Sequence, residues 1–221
     1  MYSEAHRSYD ATNRLLSFNT DNIIRKRAAE TVLSENPSNV LDIATGTGDL
    51  AILIAKLAER KGLKTKVIAI DVNANMLGVA REKAERQNAK NAVFEKGNAL
   101  GLKYKSGYFD AVVCSFALKN FESQEMFLKE ANRVLKDKGL LVIIDISRPE
   151  SAFGRLAFLV YMKYMELFGI VTKKKLYKWL PKSTAEFNRK EFVKTVKEAK
   201  FKDIKVTEYM FGISYLLKCR K

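Results

Sequence analysis

The residues best placed to hold a reactive ligand lie in Val40-Leu41-Asp42-Ile43-Ala44-Thr45-Gly46-Thr47-Gly48-Asp49. A short apolar run ends in an acid, a glycine-bearing turn follows, and apolar residues resume at Leu50, which is the order strand, loop, helix. With no side chain at Gly46 and Gly48, a ligand can approach the backbone, and the unpaired N–H groups of the next helix start point toward it. A second apolar run, Lys66 to Ile70, ends in Asp71. That is close to the ~20-residue spacing at which an acid on the neighbouring strand tip accepts hydrogen bonds from ribose hydroxyls. Read as a dinucleotide loop, the pattern is Gly46, Gly48, Ala51, so NAD is formally possible. Asp42 opposes it: a carboxylate before the loop repels a pyrophosphate but suits the ammonium and sulfonium of S-adenosylmethionine. The expected cofactor is therefore S-adenosyl-L-methionine, with Asp42, Ala44, Gly46, Thr47 and Gly48 around it. A plain glycine turn without a ligand is made less attractive by the paired acid at Asp71.

The elements that must carry these residues alternate. After the loop, a helix from Asp49 to Arg60 stops at Gly62, strand two reaches Asp71, and a helix from Asn73 to Gln87 turns Met76, Leu77, Ala80 and Ala84 inward. Ala92 to Glu95, Phe109 to Phe116 and Leu140 to Ile146 read as three more strands. The Phe109 run is continuously apolar, as suits a buried parallel strand. A helix from Ser123 to Leu135 and a turn at Lys138-Gly139 precede the last of these. Asn188 to Lys200 is an amphipathic helix, and Ile204 to Thr207 with Ile213 to Leu217 forms a closing hairpin. This pattern predicts an α/β fold with a doubly wound, mostly parallel seven-stranded sheet. Ligands in such sheets bind at the carboxyl ends of the strands. The residues there are Asp42 to Gly48, Asp71 and Val72, Asn98 and Ala99, Ser115 to Asn120, and Asp145 to Pro149. Asn98 can meet a purine edge through its amide, with Val72 and Met76 sandwiching the ring, and Ser115 can bond the amino-acid end.

Length and composition set bounds. The 221 residues suit one domain, 1–221, with an N-terminal helical segment (1–36) and a lid insertion (152–187). In the first segment, Asp21 can cap a helix to Leu33 in which Ile23, Ile24, Arg27, Ala28 and Leu33 put apolar surface at helical intervals. It is not needed to complete the sheet, so it either lies over a pocket or packs on the outside. The Ala152 to Phe168 stretch, rich in aromatics and methionine, reads equally as a lid over a greasy substrate and as a capping helix. Arg155, Lys163 and Glu166 make it a poor membrane span. No signal peptide pattern opens the chain, and a protein that is cytoplasmic, either free or peripheral to a membrane, is expected. The lone histidine, His6, argues against histidine-rich metal sites, and no metal is expected. Cys114 and Cys219 read as core residues. Forty Lys and Arg against 25 Asp and Glu give a charge of +15, which raises nucleic acid or an anionic membrane as partners. The basic residues are scattered at helical spacing, the pattern of solvated faces, and the abundance of Lys and Glu also suits a thermophile.

Taken together, these motifs resemble the class I S-adenosylmethionine-dependent methyltransferases, and within them the ubiquinone/menaquinone biosynthesis C-methyltransferase family. The likeness rests on Tyr9-Asp10-x-x-Asn13-x-x-Leu16-Ser17-Phe18, on Asp42-x-Ala44-x-Gly46-Thr47-Gly48-Asp49, on Ser115-Phe116-Ala117-Leu118-Lys119-Asn120 and on Asp145-Ile146-Ser147-Arg148-Pro149. One departure is Ala117-Leu118-Lys119-Asn120 where the family usually has Gly-Leu-Arg-Asn. The resemblance implies C-methylation of a lipid-tailed quinol, cofactor contacts at Thr47, Asp71, Asn98, Ala99 and Ser115, and substrate-side catalytic roles for Lys119 and Asn120. Lys119, charged at its reference pKa, suits stabilising a phenolate better than removing its proton. Lys173-Lys174-Lys175, beside Tyr177 and Trp179, could rest among anionic headgroups. Competing readings are a methyltransferase for another small molecule and one acting on RNA. The RNA reading lacks the catalytic Cys or the Asn/Asp-Pro-Pro-aromatic motif such enzymes usually carry. A non-catalytic module on this fold would be expected to lose the strand-tip residues, and all are present.

Overall fold

A computed structural model of the chain describes residues 19–171 and 187–221. The strands are β1 (Asn39–Ile43), β2 (Lys66–Asp71), β3 (Ala92–Lys96), β4 (Phe109–Ser115), β5 (Leu135–Ile146), β6 (Lys202–Tyr209) and β7 (Ser214–Arg220). They form one seven-stranded sheet in the order β3-β2-β1-β4-β5-β7-β6. The first five run parallel and β7 is antiparallel to both β5 and β6. This is the expected architecture. Strand order reverses between β1 and β4, so the carboxyl ends of those two strands flank the crevice where a ligand can enter.

The helices are α1 (Thr20–Leu33), α2 (Asp49–Arg60), α3 (Ala74–Arg86), α4 (Gln124–Val134), α5 (Ala152–Val171) and α6 (Arg189–Glu198). Several start where the sequence provides a cap. The Asn73 side chain accepts from the N–H groups of Asn75 and Met76, Ser123 accepts from Met126, and Asn188 accepts from Lys190 and Glu191. Each cap satisfies N–H groups that have no partner inside the helix and so fixes its first turn. Strand five begins earlier than expected, at Leu135. The ladder to β4 skips between Phe109 and Ala111, and Lys138 sits at φ 62°, so the anticipated turn is absorbed as an irregularity within the strand.

One face of the sheet packs on α1, α2 and α3 through Ile24, Val32, Ile54 and Leu77, and the other on α4 and α6 through Phe127, Leu128, Phe192 and Val196. With both faces covered, β4 is apolar and buried from Ala111 to Cys114, as anticipated for a parallel strand inside the sheet. The first helix needs correcting in detail. Ile24, Ala28, Ala29, Val32 and Leu33 are fully buried, whereas Ile23, expected inward, is 52% exposed. Spacing of three and four residues runs through 21, 24, 28 and 32, and Ile23 falls off that line. Thus α1 belongs to the core and does not merely rest on it.

The family-like opening motif, Tyr9 to Phe18, and the basic aromatic group Lys173, Lys174, Lys175, Tyr177 and Trp179 lie outside the described residues. Helix α5 reaches the sheet end closely. A side chain at Gly154 would strike the Phe211 carbonyl and Pro149, so only glycine lets the helix meet the 210–212 turn.

Candidate functional site

A cavity of about 580 Å³ opens at the switch point, lined by the tips of β1, β2, β4 and β5 and the loop after β3. Of the residues expected at the cofactor, Ala44, Gly46, Thr47, Asp71, Val72, Met76, Asn98, Ala99 and Ser115 line it, as do Lys119 and Asn120. The glycine loop turns through left-handed backbone at Ala44 (φ 56°), Gly46 (φ 56°) and Gly48 (φ 80°). Phe116, just past β4, is also left-handed at φ 55°. Strained non-glycine positions at two neighbouring strand tips, Ala44 and Phe116, are the kind of outlier that gathers at binding sites.

Asp71 is bonded twice to backbone. It accepts from the Gly46 N–H at 2.9 Å and from the Asn73 N–H at 2.8 Å, so one carboxylate fixes both the glycine loop and the start of α3. Beside Gly46 there is nothing within 4 Å of where a side chain would begin, which leaves its backbone open to a ligand. Asn98 accepts from the Leu100 N–H at 2.9 Å, so its carbonyl shapes its own turn and its amide nitrogen is the group left for a partner.

Two expected contacts stand behind the wall. Asp42 is 1% exposed and Gly48 is buried, and neither lines the cavity. A side chain at Gly48 would lie 2.8 Å from the Phe94 ring and 3.0 Å from the Ala80 methyl, so this glycine serves the packing of the loop on α3 and β3. Asp42 receives the Thr45 hydroxyl at 2.6 Å, and Thr45 in turn lines the cavity. The other Asp42 carboxylate oxygen is buried without a hydrogen-bond partner. Burial pushes the acid up to about 7, with the Thr45 hydroxyl and the Arg25 charge pulling the other way.

At the opposite end, Lys119 and Asp145 form an ion pair in which Asp145 is fully buried and Lys119 nearly so. Asp145 also accepts from the N–H groups of Leu118 (3.1 Å) and Ile146 (2.7 Å), and the Lys119 ammonium donates to the Ile146 carbonyl at 3.1 Å. The Phe187 ring lies 5.6 Å from that ammonium. The ammonium is thus held in one place at the cavity wall. Asn120 is exposed on the short 3-10 turn that carries both residues, and its N–H donates to the Ala117 carbonyl.

Residues that sequence reasoning overlooked complete the site. From α1 come Thr20, Asp21, Ile24 and Arg25; the Arg25 guanidinium pairs with Asp21 and lies 5.1 Å from the centre of the Phe116 ring. From α5 come Tyr161 and Met165, with Met210 and Ile213 nearby, giving an apolar wall. Burial lifts the Tyr161 hydroxyl to about 12, so it stays protonated. Lys83, on the apolar side of α3, reaches Asp49 at 2.6 Å and the Thr47 hydroxyl at 3.2 Å, tying the loop to the helix. Its placement at three residues from Ala80 and one from Ala84 was the available signal. Asp145 was expected at the tip of strand five; its pairing with Lys119 follows from burial, since an acid in a buried run needs a cation.

The sequence model of the ubiE/COQ5 methyltransferase family matches residues 1–220. The chain is 34% identical over 217 residues to the demethylmenaquinone methyltransferase of Thermus thermophilus, covering 97% of this chain and 96% of that protein. It is 33% identical over 210 residues to the protein of the same name from Bacillus mycoides, covering 93% and 87%. Among solved structures, a SAM-dependent methyltransferase from Aquifex aeolicus superposes with a TM-score of 0.62 at 23% identity, covering 87% of this chain and 88% of that one. That likeness bears on the fold.

Proposed function

The chain belongs to the ubiE/COQ5 methyltransferase family, and we propose that it methylates a ring carbon of a lipid-tailed demethylmenaquinol, using S-adenosylmethionine. One observation carries this reading: a single cavity is lined both by polar groups of the glycine loop, Asp71 and Asn98 and by the apolar side chains Phe116, Tyr161 and Met165, with the fixed Lys119 ammonium in its wall. The residues fit the cofactor. Gly46 leaves room at its backbone, Asp71 supplies acceptors for ribose hydroxyls, Asn98 and Ala99 meet the adenine, and Val72 and Met76 flank the ring. Ser115, Thr47 and the Thr45–Asp42 pair attend the cationic amino-acid end.

When bound, S-adenosylmethionine supplies a methyl group on a positively charged sulfur. The chain's contribution is to hold the acceptor carbon in line and to keep water away. A quinol ring carbon becomes nucleophilic when its hydroxyl loses a proton. Lys119, pinned by Asp145, is the group that steadies the resulting phenolate, and Asn120 helps orient the ring. Protonated Tyr161 offers a further donor on the α5 side. The apolar wall from Ile24, Phe116, Met165 and Ile213 suits the ring and the start of its tail.

The reading is tested by methyl transfer to a panel of demethylated quinols, small amines and RNA. Transfer to a quinol alone is expected, and transfer to amines or RNA in preference to every quinol would refute it. Asp71→Ala should weaken cofactor binding by about 1–3 kcal/mol, because a charged acceptor is lost and the Gly46 N–H loses its anchor. Titration calorimetry measures this directly. Unchanged affinity in Asp71→Ala would remove the ribose assignment.

A further inference from the structure

The inner side of α5 is occupied, since Phe158 and Met162 pack with Ile213 while Tyr161 and Met165 wall the cavity. Its outer side is apolar as well. Phe153, Leu156, Leu159, Val160 and Leu167 are between 59% and 65% exposed. Phe153, Leu156, Val160, Tyr164 and Leu167 recur at intervals of three and four residues, which on a helix draws one continuous stripe. Phe211 prolongs it: the side chain is 66% exposed, and its ring stands edge-on to that of Phe153 at 5.1 Å. Scattered exposed apolar residues are ordinary, whereas a contiguous stripe of this kind marks an interaction surface.

Charge decides what covers it. Beside the stripe stand Arg155, Lys163 and Glu166, the last two 3.3 Å apart, on a chain whose net charge is +15. Two copies of so basic a chain repel each other, while an anionic lipid surface attracts it. Among the described residues no helix is long and apolar enough to cross a membrane. An apolar stripe on a chain of such positive charge instead lies in the plane of the interface, with its side chains among the upper acyl chains.

We propose that the outer face of α5, continued by Phe211, docks the protein on an anionic lipid surface, so that one helix rests on lipid with one side and walls the substrate cavity with the other. The tail of a membrane-held acceptor would then reach the cavity past Tyr161 and Met165 without crossing bulk water. This last step rests on the quinol reading; the docking itself does not.

The test compares the full-length protein with a Leu156→Gln/Val160→Gln variant, neither position lining the cavity. Co-sedimentation is measured with phosphatidylglycerol/phosphatidylcholine vesicles and with phosphatidylcholine alone. The variant is expected to partition onto the anionic vesicles at least about tenfold more weakly, with unchanged S-adenosylmethionine affinity showing that it is folded. Its methyl transfer to a short-tailed, soluble quinol should match wild type, while transfer to a long-tailed quinol in vesicles falls. A second measurement avoids destabilising changes. Cys114 and Cys219 are buried, so a polarity-sensitive dye on Val160→Cys reports that face alone, and its emission should shift to the blue when anionic vesicles are added. Equal partitioning of wild type and variant, or a dye blind to vesicles, overturns the proposal. So does a wild-type dimer that the variant dissociates while lipid binding persists, because the face is then a contact between copies. Failure to methylate either quinol, with vesicle binding and dye shift as expected, sinks the quinol reading and leaves the docking surface standing.

Discussion

Replacing Asp145 by alanine is expected to slow methyl transfer by about a hundredfold or more and to lower folding stability by about 3–5 kcal/mol. Asp145 is fully buried and holds the Lys119 ammonium as well as the Leu118 and Ile146 N–H groups. Removing it strands a buried cation and two donors, and a buried charge without its partner is among the costliest defects a single substitution can cause. Loss of rate alone would not separate catalysis from misfolding. The Asp145→Leu/Lys119→Met double variant does, because taking out both charges lets an apolar pair fill the space and restores much of the stability. If Lys119 steadies the phenolate, activity stays lost in that stable protein. Recovery of activity together with stability would reduce the pair to a structural element. Lys119→Arg keeps the charge, and the arginine usual in the family at this place leads us to expect most of the activity to survive.

What the sequence could disclose follows from where each interaction lies. Strand tips are written in local pattern, an apolar run followed by a polar residue, so Asp71, Asn98 and Ser115 were found without the fold. The switch point came from counting alternations and placed them around one cavity. Contacts between distant segments have no such local mark. Asp21 and Arg25 on α1 and Tyr161 and Met165 on α5 reach the same cavity only because the chain ends of the sheet are brought beside the first helix. Asp42 shows the limit most clearly. Its residue type and position suggested a ligand contact, but β1 is an interior strand between β2 and β4, and the carboxyl is buried beneath the loop that follows it. Sequence spacing locates a side chain along a strand and says little about what later closes above it.

That enclosure has a consequence for pH. The Asp42 carboxyl keeps its proton up to about pH 7 in the folded chain against an ordinary 3.8, because burial disfavours the charged form. Between those values the unfolded chain releases a proton that the folded chain retains, so this group makes stability fall as pH rises from about 4, levelling off above about 7. The gap corresponds to a few kcal/mol. Asp42→Asn, which keeps the shape and needs no ionisation, is therefore expected to be more stable than wild type at pH 8 by up to that amount and little different near pH 4. Ionisation has the opposite effect on a cationic ligand. Thr45 links the carboxyl to the cavity wall, so a bound sulfonium and ammonium favour the charged acid and draw its proton off. S-adenosylmethionine should then bind wild type more tightly as pH rises toward about 7, and Asp42→Asn should lose that slope. Thermal melts and cofactor titrations of both proteins across pH 4 to 9 measure the two effects side by side. Parallel pH curves for wild type and Asp42→Asn would mean that the acid is already ionised in the free protein and that its buried, unpartnered oxygen has found another partner in solution.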